Sequence, residues 1–238
     1  KFGIVIFVLF LLAGFSPAAD AVTLKIATAA PEGSHWMKEM RTGAEEISLR
    51  SQGRVRIKFF AGGVMGNDKS VLRKIRVGQL HGGAFIAGSL EEIVPSINIL
   101  SLPLVFRSYE EVDFVREKMD IDLKNELEQA GFACFGFAEG GFAHIMSPIP
   151  IRSVEDARGL KIWVPEGDPI AYRAMASLGL APVILPITDV MTGLQARLVE
   201  VVASSPIGAL AFQWHTRIKY VNKTPLSYLY GTLVVDKR

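Results

Sequence analysis

The sequence predicts an α/β fold. Strand and helix signals alternate along the chain, and the alternation restarts after Gly140. Half of the 238 residues are hydrophobic and 21% are charged, which is the composition of a packed globular chain. That length accommodates one large domain or two smaller ones.

Each element has a local reason. "VTLKIATAA", from Val22, reads as a first strand. Ser34 can cap a helix that runs to about Gln52 and stops at Gly53. "RVRIKFF" alternates basic and apolar residues, as a half-buried strand does. "AGGVMG" is a loop, and Asn67 or Asp68 can cap the next helix, which ends near Gly78. Its basic residues Lys69, Arg73, Lys74 and Arg76 read as a solvated face. "LHGGAFIAG" is an apolar, glycine-rich strand. Ser108 with Glu111 forms a capping box for helices that end at Gly131, and "FACFGFAE" is the next strand.

After Gly140, "AHIMS" and "KIWVP" are short strands. Asp168 caps a helix with Pro169 at its first position, closed by Gly179. "APVILP" is a strand, and Thr188 and Asp189 occupy the cap of another helix. "VEVVASSP" is a strand, "GALAFQWHTRIKYV" a helix and "PLSYLYGTLVV" a final strand. The domain reading is a leader over 1–21, a first lobe over 22–139, a second over 140–227, and a strand over 228–238 that returns to the first. The absence of a terminal helix implies further chain beyond Arg238.

The first residues have the form of a secretory leader: a basic start, an apolar run from Phe2 to Leu12, then Ala19-Asp20-Ala21 before a cleavage expected after Ala21. The apolar run is shorter than the roughly 20 residues that span a bilayer. Net charge is +2, with no sign of a nucleic-acid partner. The single cysteine, Cys134, cannot form an internal disulfide and reads as a small buried hydrophobe.

Catalytic patterns fail on spacing. "GGVMGNDKS" lacks the lysine that a phosphate loop places directly after its second glycine. Neither a Gly-x-Ser-x-Gly elbow nor a Gly-x-Gly-x-x-Gly turn is present. His35, His81, His144 and His215 are too dispersed for a metal site, so no metal, cofactor or catalytic residue is expected. Glu166 and Asp168 make a weak acid/base pair, because Asp168 already has a capping role.

Several stretches together resemble one family. They are "RVRIKFFAGGVMGNDKSVLRKIRVGQL", "SLPLVF", "RSVEDARGLKI" and "TDVMTGLQARLVEVV". From about Thr23 onward the chain resembles the solute-binding subunit of TRAP transporters, the DctP type. The resemblance implies a two-lobe periplasmic-binding-protein fold with mixed sheets flanked by helices and a ligand cleft between the lobes. It implies a small organic solute, a periplasmic location and a TRAP membrane permease as partner.

Against that family, this chain departs in its polar ligand groups. The family usually has arginine after "GLKI", pairing with a ligand carboxylate; here the residue is Trp163. A second arginine corresponds to Ala143, and the family's Asn-Pro corresponds to Ser204, Ser205 and Pro206. Ile162 and Val164 point to one face of their strand and Trp163 to the other, so Trp163 is expected either to offer its ring to an apolar or aromatic solute or to pack as core. Glu32 and Trp36 follow the first strand, where cleft residues are expected, and Trp36 can also bury against its helix. Phe85 and Ser89 flank the turn after "HGGAF", with core packing as the other reading of Phe85. Glu139 stands at the lobe junction as an acceptor for the solute or as a solvated carboxylate. Two other function classes are carried: a module that binds another periplasmic protein, its cleft apolar or lipid-filled, and an exported enzyme using Glu139, Glu166 or Asp168.

Overall fold

The computed structural model describes residues 21–238. The expected leader lies, apart from Ala21, outside the described residues. β1 (Val22–Thr28) pairs in parallel with β2 (Val55–Phe60) and with β3 (Gly82–Ile86). Between these strands run two helices with satisfied N-termini. Ser34 accepts from the Met37 N–H to start α1 (His35–Arg50), and Asn67 accepts from the Ser70 N–H to start α2 (Asp68–Arg76). α2 buries Val71, Leu72 and Ile75 and leaves its basic face outward. The expected helices between Ser108 and Gly131 are one helix, α3 (Tyr109–Gln129). Ser108 accepts from the Glu111 N–H, and the Glu111 carboxylate accepts from the N–H of Arg107.

The strand expected over "FACFGFAE" is split. β4 (Phe132–Cys134) ends before Gly136, whose φ is +142°, and β5 (Ala138–Ser147) follows. β5 runs without a break through Glu139 and Gly140, so the junction between the two halves of the chain falls inside a strand. The second half adds β6 (Lys161–Pro165), α4 (Pro169–Ser177), β7 (Ala181–Leu185), α5 (Val190–Gln195), β8 (Val202–Ser204), α6 (Pro206–Ala211), β9 (Tyr220–Val221) and β10 (Ser227–Asp236).

Strands form one mixed sheet of order β2-β1-β3-β10-β5-β8, with β4 also on β10 and β9 on β5. β6 and β7 form a separate parallel pair, tied to the start of β8 by a parallel bridge from Ile162 to Val201. The core divides accordingly. Lobe I gathers Ile75, Leu90, Ile97, Leu100, Leu123, Leu127, Phe142, Tyr228 and Tyr230. Lobe II has a core on each face of β6: Trp163 with Met146, Val190, Val202 and Trp214 on one side, and Ile162 with Ala157 and Val201 on the other.

Two helix expectations change. Thr188 does not start an α-helix; it lies in a single 3₁₀ turn (Ile187–Asp189), its hydroxyl donates to Asp189, and Asp189 caps nothing with its side chain. The long helix expected over "GALAFQWHTRIKYV" stops at Ala211. Gln213 adopts a left-handed backbone, φ +60°, which ends the helix and carries Trp214 into the core with no exposed surface.

β3 and β10 meet closely because Gly82 has no side chain: a Cβ there would stand 2.2 Å from the carbonyl oxygen of Val234. Backbone cannot yield as a side chain tip can. Gly82→Ala should therefore destabilise the fold by about 1–3 kcal/mol, read as a lower urea midpoint with an unchanged slope.

Candidate functional site

Parallel strands converge on one crevice. In lobe I, β1, β2 and β3 end at Thr28, Phe60 and Ile86. In lobe II, β6 and β7 end at Pro165 and Leu185, and β8, bridged in parallel to β6, ends at Ser204. The loops beyond these carboxyl ends face each other. Asn67 Nδ2 donates to Glu166 Oε2 at 2.5 Å. A Cβ on Gly63 would lie 2.5 Å from Thr188 Cγ2, and one on Gly167 would lie 3.9 Å from Lys69 Cε. At the other end, a Cβ on Gly141 would lie 3.8 Å from Ser205 Cβ and 3.3 Å from the Tyr109 hydroxyl. Crevices outside the carboxyl ends of such sheets are where α/β proteins hold ligands.

The crevice wall is polar and acidic at one end. Ser89 donates to Asp68 Oδ2, and the Glu166 carboxylate of the facing loop is close enough for its charge to act on Asp68. Burial pushes the Asp68 carboxyl above the usual aspartate range, the Ser89 hydrogen bond lowers it, and the Glu166 charge raises it further. Lys69 pairs with Glu92 at 2.9 Å on the exposed rim. Asp168 caps α4 by accepting from the Ala171 N–H; burial raises its carboxyl as well. At the other end Tyr109 stands edge-on to Phe142, ring centroids 5.1 Å apart.

The residues expected at the site are dispersed. Trp163 is lobe II core, only 5% exposed, with its indole N–H donating to the Leu185 carbonyl at 2.9 Å and its ring edge-on to Trp214 at 5.1 Å. The expectation that it offers its ring to a solute is corrected: both faces of β6 are covered, so the face opposite Ile162 is interior too. Phe85 is buried in the lobe I core. Glu32 is exposed and held by Arg41 through two hydrogen bonds, 3.0 and 2.6 Å, which lower its carboxyl below the usual glutamate range. Glu139 pairs with Arg116 at 3.1 Å. Trp36 is half-buried in the first turn of α1. Ala143 is buried in β5 opposite Ser227. Ser204 and Ser205 are buried beside the crevice, where Ser205 caps α6 by accepting from the Gly208 N–H. Ser89, Ser204 and Ser205 thus border the crevice, and Trp163, Phe85, Glu32 and Glu139 have structural partners.

Asp68, Tyr109 and Thr188 also stand beside the facing loops, and the sequence reading did not place them there as solute contacts. The sequence showed Asp68 and Thr188 only as helix-start residues, and nothing local marks Tyr109, which reaches the site through α3. Among the described residues, no group of three or more His, Cys, Asp or Glu could hold a metal, and no helix is long and apolar enough to cross a membrane. Two further concavities, about 480 and 470 Å³, lie around Phe106 and border none of these crevice residues.

Residues 26–238 match the model of the bacterial extracellular solute-binding proteins, family 7, the DctP family. The chain belongs to that family. Among family relatives, an uncharacterised protein of Haemophilus influenzae is 24% identical over 95% of this chain and 71% of its own length. The 2,3-diketo-L-gulonate-binding periplasmic protein YiaO of Escherichia coli is 25% identical over 80% of this chain and 58% of its own. For several of these relatives the chain spans less than two thirds of their length. Its fold is that of the TRAP periplasmic solute-binding proteins. One from Pseudomonas putida F1, with bound D-glucuronate, has a TM-score of 0.83 at 23% identity, covering 91% of this chain and 71% of the other. One from Sulfurospirillum deleyianum, with bound succinate, has a TM-score of 0.84 at 19% identity, covering 92% and 71%.

Two outcomes follow from this geometry. Trp163→Ala should cost about 3–5 kcal/mol of stability in urea unfolding, because it empties the centre of a buried aromatic cluster. For Asp68 the sign is set by its raised carboxyl. Ionised Asp68 burdens the folded state; that burden is absent at low pH, grows as pH rises through the ordinary aspartate range, and is complete above the raised folded value. Asp68→Asn should therefore raise the unfolding midpoint at about pH 7 and leave it unchanged at about pH 3.

Proposed function

We propose that this chain is the extracytoplasmic solute receptor of a TRAP-type transporter. It takes a small organic solute into the interlobe crevice and delivers it to the membrane permease. It is exported to the periplasm behind the leader over 1–21 and performs no chemistry on the solute. The observation that carries this reading is the convergence of the carboxyl ends of six strands, three from each lobe, on one polar crevice. Family membership supports it, as do relatives named for the compounds they bind.

The solute class follows from the side chains at the crevice. Asp68, Ser89, Thr188, Ser204, Ser205 and Tyr109 bear hydroxyl and carboxyl groups, and Trp163 is committed to the core. A hydroxylated organic acid fits such a lining better than an aromatic compound, because hydroxyl and carboxyl groups offer a solute hydrogen bonds that an apolar ring cannot use. The glucuronate- and galacturonate-bound neighbours are consistent with this choice.

Thermal unfolding against uronic acids, aldonic acids, simple dicarboxylates and aromatic acids tests it. At 100 times its Kd a solute adds about 2.7 kcal/mol, a shift of a few degrees. A hydroxylated acid should give the largest shift. A shift with aromatic acids alone would overturn the solute class, and no shift with any organic acid would count against the receptor reading.

A further inference from the structure

The crevice is crossed by a direct side-chain hydrogen bond between the lobes, from Asn67 at the start of α2 to Glu166 in the loop after β6. We infer that Asn67 and Glu166 form a catch that holds the two lobes together, and that they set solute affinity through closure and not through solute contact. The inference rests on the receptor reading of the crevice, but its test needs no solute.

The chemistry of the cap makes Asn67 suited to this task. Its Oδ1 accepts from the Ser70 N–H at 3.0 Å, closing the first turn of α2. That bond fixes which way the amide faces, so Nδ2 is turned outward and reaches the Glu166 carboxylate. Aspartate would cap the helix equally well but has no hydrogen to donate. One asparagine therefore starts a helix of lobe I and grips lobe II. Glu166 is presented by a tight turn: the next residue, Gly167, has φ +89°, and Asp168 then caps α4. Both partners are half-buried, which makes a hydrogen bond to an ionised carboxylate stronger than one on the open surface. Beside them, Gly63 receives Thr188, so the lobes meet at a second point of the same edge.

That second point gives a reporter of closure. A Cβ on Gly63 would lie 3.5 Å from Thr188 Cβ, within the span of a disulfide. Gly63→Cys with Thr188→Cys, in a Cys134→Ser background, should therefore oxidise in proportion to the closed population, even a minor one. The rate is measured with oxidised glutathione, by the mass loss of the cross-linked chain. Adding Asn67→Asp keeps the helix cap and sets two carboxylates against each other, so the rate should fall about tenfold. Adding Glu166→Gln to that variant restores a donor opposite an acceptor with the polarity reversed, and the rate should recover. An unchanged rate in the Asn67→Asp variant would overturn the catch, and so would a loss that Glu166→Gln does not reverse. Because no solute is present, either result is independent of the thermal-unfolding panel.

Discussion

The pairing of β5 with β10 is the constraint on which the rest of the molecule depends. β10 lies between β3 and β5, and β5 continues from that ladder into pairs with β8 and β9. The register shifts between Leu229, opposite Gly141, and Tyr230, opposite Glu139, so that Gly140 is left without a partner in the ladder. On the lobe I side, Phe142 and Tyr228 stand opposite each other and enter the core; farther along β5, Met146 enters the aromatic core of lobe II. The two cores are thus separate bodies strung on shared strands. The ladder irregularity falls inside the lobe I part of these strands, between Tyr230 and Tyr228, where it lets the local twist change.

The aromatic core of lobe II shows how a strand with two buried faces differs from one with a wet side. In "KIWVP" the three central residues are all interior. Trp163 makes up for the shortness of a two-stranded sheet by tying β6 to the end of β7 through its indole N–H. Its contact with Trp214 depends on the left-handed turn at Gln213, which directs Trp214 inward. Trp163 is therefore supported by a backbone turn fifty positions away in sequence.

Much of the fold was legible because its signals are local. Ser34, Asn67, Ser108 and Asp168 each announce a helix and each caps one. The strand alternation is equally local. What was not legible depends on partners distant in sequence. "KIWVP" alternates like a half-buried strand, and nothing in it tells that its second face is covered by residues of α5 and by Trp214. Glu139 and Glu32 looked available until Arg116 and Arg41 were seen beside them. The meeting of the two lobes was expected from family likeness, whereas Asp68 and Tyr109 reach the facing loops only through the approach of two loops and a helix end.

The place of β10 in the sheet has a consequence for the order in which the protein can be completed. It is a central strand, yet it is made after every other strand described. Until it is present, β3 has one open edge, and the lobe I core lacks Tyr228, Tyr230 and Val234. A growing chain that already carries all of the helices of lobe I therefore cannot yet close that lobe. Its longest-range contacts form last, and such non-local pairing slows folding relative to a fold built from local contacts. A chain built this way keeps lobe I open until nearly all of the described sequence has been made, and that lobe then closes around one late strand.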